Sequence, residues 1–116
     1  MKIDILGTEY QLIFRDEHDD EALKTCGGYC DSFAKEIVVA DWKPDESNPN
    51  ETKNLAGAVR RNTRHEIIHA FFVESGLHIN TMQHDGSWAD NEEMVDWFAI
   101  QGPKIYAAWQ EAGALC

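Results

Sequence analysis

The sequence predicts an α+β fold, with strands in the N-terminal part and helices in the remainder. Three observations carry this. The stretch KIDILGTEYQLIFR alternates apolar and polar residues on both sides of Gly7-Thr8, which is the period of a β-hairpin. The run EIVVAD is short and β-branched between polar flanks, which suits a strand. After the loop KPDESNPNE the chain reads helical as far as Gly76, and again through NEEMVDWFAIQ.

Each element has its own local justification. DEHDDEALKTCGGYC is acidic, then glycine-bearing, and predicts a short helix or a loop. The first long helix has a start signature: Asn48 can cap, Pro49 suits the first helical position, and Glu51 falls at the capping-box position. Gly76 suits its C-terminal stop. LHINTMQHDGSWAD, rich in polar and turn residues, reads as a linker. The next helix has Asp90 or Ser87 as candidate cap and should be interrupted at Gly102-Pro103, since proline lacks an N–H and clashes with the preceding turn. KIYAAWQEA would then form a last helix.

The chain has 116 residues, the size of a single domain spanning 1–116. Its 21 acidic against 10 basic residues give a net charge of -11. Such a surface disfavours nucleic acid and anionic membranes as partners. The one dense basic patch, Arg60, Arg61 and Arg64, lies on the first long helix and reads as a solvated face. No apolar run reaches the length of a membrane span, and no export signal is visible in MKIDILGTEY, so a cytoplasmic location is expected. Cys26, Cys30 and Cys116 form an odd set without a disulfide framework, and CGGYC alone is half a zinc site.

The residues that carry chemistry lie in RHEIIHA. A helix brings positions i and i+4 onto one face, so His65 and His69 can chelate one ion without bending the backbone. Glu66 is turned about a quarter-turn away, where its carboxylate reaches a water rather than the metal. The pattern H-E-x-x-H therefore points to Zn²⁺ and a Glu66-activated water. IIHAFFV is apolar on almost every face, which predicts a buried helix.

A catalytic zinc site takes a third protein ligand. The downstream candidates are Glu92, Glu93, His78 and His84. Asp96 stands one turn after Glu92 on the same face, where it can accept from the far nitrogen of a ligating histidine. Trp97 occupies the equivalent place after Glu93. Tyr29, Tyr106 and His78 are candidate donors to a tetrahedral intermediate.

His65, Glu66, His69 and the later Glu92-x-x-x-Asp96-x-Phe98-Ala99 resemble the gluzincin-type metallopeptidases. Within these, the chain is similar to the small ImmA/IrrE-like proteins of bacteria, phages and prophages, over residues 27–104. The resemblance implies a minimal zincin fold, with a short mixed sheet packed on the motif helix and a second, ligand-bearing helix. It also implies His65, His69 and Glu92 as zinc ligands, Glu66 as the base, and Asp96 orienting a ligand. The chain departs from that pattern at Ile68, where glycine is common, and at Met94-Val95 and AIQGP in the second helix. Phe72 and Ser75 exclude the metzincin pattern.

The expected activity is zinc-dependent hydrolysis of a peptide bond in a peptide or protein substrate. The strand Glu36–Ala40 is expected to be the edge that receives it by β-addition. A small helical structural protein with no metal at all is one alternative, and two rivals keep the metal. One is a metal-stabilised interaction module, an adaptor or antirepressor without turnover. The other resembles the SprT-like metalloproteins, with His84 as third ligand.

Overall fold

A computed structural model describes residues 1–78, 89 and 91–115. His84, Ser87, Asp90 and Cys116 lie outside the described residues. The order of elements is β1 (Lys2–Ile5), β2 (Thr8–Arg15), a 3-10 turn (Glu21–Lys24), β3 (Gly28–Asp31), β4 (Glu36–Ala40), α1 (Leu55–Glu74) and α2 (Glu92–Glu111). This is the α+β class expected, with a four-stranded mixed sheet in the order β1-β2-β4-β3.

The hairpin β1–β2 turns at Leu6 and Gly7, both with positive φ, and Thr8 already belongs to β2. Two positive φ values give the turn whose twist matches the strands it joins. β2 pairs parallel with β4, and β3 pairs antiparallel with β4. β4 is thus an inner strand, not the expected edge. Ile37, Val38, Val39 and Ala40 are all fully buried, because a strand covered on both faces is apolar at every position. The edges are β1 and β3. β3 falls where a short helix or a loop was expected, because two glycines and a tyrosine between cysteines carry no clear alternation.

Alternation in β2 and β4 splits the core in two. Tyr10, Leu12, Ile37 and Val39 face α1 and meet Ala70, while Val38 and Ala40 face the other way onto Leu23. α1 starts at Asn54, whose side chain accepts from the Gly57 N–H, and not at Asn48. Asn48 instead closes a local turn onto the Asn50 N–H, an Asx interaction that competes with helix initiation. The other end stops as expected, with Gly76 at positive φ. Glu74 anchors it to the sheet, accepting from Thr8, Tyr10 and Lys35.

α2 is capped by Asn91, which accepts from the Met94 N–H. It runs unbroken through Gly102-Pro103, so the expected interruption and separate last helix do not occur. Proline at 103 leaves the carbonyl of Ala99 without its ladder donor. The Nε–H of Arg64 on α1 donates to that carbonyl. An orphaned acceptor is satisfied from the neighbouring helix, and the helix continues.

α1 is buried on one side only. Glu66 and Ala70 are covered, but Phe71 is 39% exposed and Ile68 and Phe72 are partly exposed. One sheet and one helix cannot cover every face of an apolar helix. No helix among the described residues is long and apolar enough to cross a membrane.

Candidate metal centre

Residues four apart on α1 bring both imidazoles to one side, and the first turn of α2 closes on them. His65 Nε2 and His69 Nε2 are 3.0 Å apart. The Glu92 carboxylate lies 2.9 Å from the first and 3.2 Å from the second. Ligand atoms at ~2.0–2.2 Å from a tetrahedral zinc sit roughly 3.3–3.6 Å from one another. The three donors are therefore a few tenths of an ångström inside the spacing that one ion requires.

His65, Glu66 and His69 also form a group of potential ligand atoms within 4.8 Å of one another. Of the two carboxylates, Glu92 lies nearer to His65 Nε2. Glu66 stands back, 4.0 Å from His65 Nε2.

Asp96 Oδ1 is 2.8 Å from His65 Nδ1. A carboxylate at this distance can accept from Nδ1–H, the tautomer that leaves Nε2 for a metal. Burial lowers the pKa of His69, with Glu92 opposing, and this favours the neutral ring, the form that binds metal. Burial pushes Glu66 up to about 7, with Glu92 and Asp96 adding to the rise and His65 opposing it.

A cavity of about 550 Å³ opens over this cluster. Its floor is α1, and one wall is formed by Cys26 and Gly27 and the strand β3 that follows them. Gly28 makes room: a Cβ there would lie 2.9 Å from the Val38 carbonyl and 3.0 Å from Glu66 Cγ. Gly27 does the same for Asn62, whose Nδ2 would sit 2.2 Å from a Cβ. Neither glycine stands out in CGGYC beside its cysteines; the available signal was the adjacent pair Gly27-Gly28 at the start of a strand.

Other expected residues are distributed differently. His78 lines the cavity, and Tyr106 does not. Tyr29 lines the cavity, but its hydroxyl donates to Asp20 and its ring packs with Leu23 on the opposite face of the sheet. Cys26 donates to the Ala22 carbonyl. Burial, with Glu66 nearby, pushes the Cys30 thiol up to about 11, so it stays protonated. Glu93 is exposed in the first turn of α2 and lies outside the cavity lining. Arg60 and Arg61 are exposed, while Arg64 is engaged by Ala99. Comparison with protein families, characterised proteins and solved structures finds no match for this chain.

Proposed function

We propose that the protein is a zincin-like, zinc-dependent peptidase acting in the cytoplasm. The observation that carries this is the convergence of His65, His69 and Glu92 within 3.2 Å, with Asp96 on the far nitrogen of His65. A Zn²⁺ held by these three would supply Lewis acidity and lower the pKa of a water to about 7.

The chain's own residues fill the remaining roles. Glu66, buried and with a pKa near 7, is suited to take a proton from that water and return it to the leaving amine. His78 lines the cavity and is a candidate donor to the carbonyl oxygen. An extended peptide would add to the outer edge of β3, which pairs only with β4 and borders the cavity. Cys26 and Cys30 are free thiols, which fits a reducing compartment.

Zinc titration and peptide turnover test this reading together. Glu92→Ala should abolish tight zinc binding, and Asp96→Ala should weaken it by roughly 10–100-fold. Glu66→Gln should keep the metal and lose turnover of a peptide library. If Glu92→Ala retains tight zinc, the ligand assignment is wrong. Zinc binding without turnover by the wild type would leave the ion as a tie between helices and remove the peptidase.

A further inference from the structure

On the side of α1 away from the sheet, α1 and α2 enclose an open groove of about 650 Å³. Its walls are Ile67, Ile68, Phe71 and Phe72 of α1 and Trp97, Phe98, Gly102, Ile105 and Trp109 of α2. Arg64 is the one charged residue of the lining, and the Ala99 carbonyl already holds it. Trp97, Phe98 and Trp109 are 53%, 41% and 55% exposed, and Phe71 is 39% exposed. Side chains of this size bury ~150–250 Å² each, so these four leave roughly 400 Å² of aromatic surface in water.

The pattern along α2 says what covers it. Phe98, Gly102, Ile105 and Trp109 follow one another at steps of four, three and four residues, a continuous seam along one helix face. Laid antiparallel on itself, this seam is its own complement. Phe98 meets Trp109 of a second copy, and Gly102 meets Ile105. A Cβ at Gly102 would have nothing within 4 Å, so the hollow that an opposing Ile105 needs is present. A two-fold interface requires this property, a projection and a recess in the same patch. Full cover of the four aromatics in both copies would remove roughly 800 Å² from water, so the interface also has to bury the aliphatic walls of the groove to reach the ~1,200 Å² at which specific interfaces begin.

We propose that the groove is the dimerisation surface of this protein, with the α2 seams of two copies packed antiparallel across a two-fold axis. The proposal is independent of the metal centre, which opens on the other side of α1.

Sedimentation equilibrium from micromolar to near-millimolar protein tests it. The wild type should have twice the chain mass of 13.2 kDa. Gly102→Glu fills the recess with a charge while replacing a poor helix former with a good one, and Trp109→Glu removes a projection. Both should run as monomers with unchanged helical circular dichroism and unchanged zinc uptake. Ile100→Glu, exposed but off the seam, should remain dimeric. A wild type that stays at one chain mass throughout overturns the proposal, as does a dimer that survives both seam substitutions. A monomer that instead binds an amphipathic helical peptide in the groove also overturns it, and would assign the surface to another protein.

Discussion

Glu66 is a carboxyl group held at 7% exposure, and its raised pKa is a statement about stability. The unfolded chain gives up this proton near pH 4.5, the folded chain near 7. Below the lower value both states hold the proton and the group costs nothing. The cost grows as pH rises between the two and is complete above 7, at roughly 3 kcal/mol. Zinc-free Glu66→Gln should therefore be more stable than zinc-free wild type above pH 7, and the gap should close below pH 4.5. Urea titrations at both pH values measure it. A second expectation concerns Gly28. Alanine there meets a backbone carbonyl at 2.9 Å and Glu66 at 3.0 Å, so a loss of about 1–3 kcal/mol is expected from overpacking. Because Glu66 is displaced and the ligands are not, Gly28→Ala should keep zinc and lose turnover. At this scale the sequence was informative where chemistry requires a residue type at a fixed spacing, as for His65, Glu66 and His69. It was mute on Gly28, whose role depends on a strand and a helix meeting from distant parts of the chain.

Among the elements, those whose pattern is local were legible: the first hairpin, β4, the body of α1 and the NEEMVDWFAIQ half of α2. The helix starts were misjudged because several polar residues compete for one cap. Asn54 and Asn91 took the role, and Asn48 was drawn into a turn of its own. β3 was illegible because its pairing with β4 is what makes it a strand. The continuity of α2 could not be read from Gly102-Pro103, since the residue that permits it, Arg64, belongs to another helix. Removing that donor leaves a buried carbonyl unpaired, a loss of about 1–3 kcal/mol. Arg64→Ala should thus lower the melting temperature, with helical circular dichroism showing whether α2 breaks at Pro103.

For the molecule as a whole, the proposed zinc would tie α1 to α2, and α1 already lies on the sheet. A ligand bound only by the folded state adds its binding free energy to folding, about 4 kcal/mol at a thousandfold excess over Kd. A chelator should lower the melting temperature accordingly, and His69→Ala should reproduce the chelated value without further response to added chelator. Glu66→Gln should still respond. The α+β class followed from the order of patterns along the chain, whereas a mixed sheet against the motif helix was implied by the resemblance alone. The open apolar side of α1 did not, because IIHAFFV marks a helix as apolar without saying how many of its faces the rest of the chain can cover.

The Arg64–Ala99 hydrogen bond makes two distant positions dependent on each other. With proline at 103, the Ala99 carbonyl needs Arg64; with alanine at 103, the helix supplies its own donor. A change at 64 is then damaging or nearly silent according to what stands at 103. Mutational drift has an ordered route here: 103 must lose its proline before 64 is free to vary. Random libraries built on this chain should recover substitutions at 64 mainly in company with one at 103, an epistatic pair recorded in a single hydrogen bond.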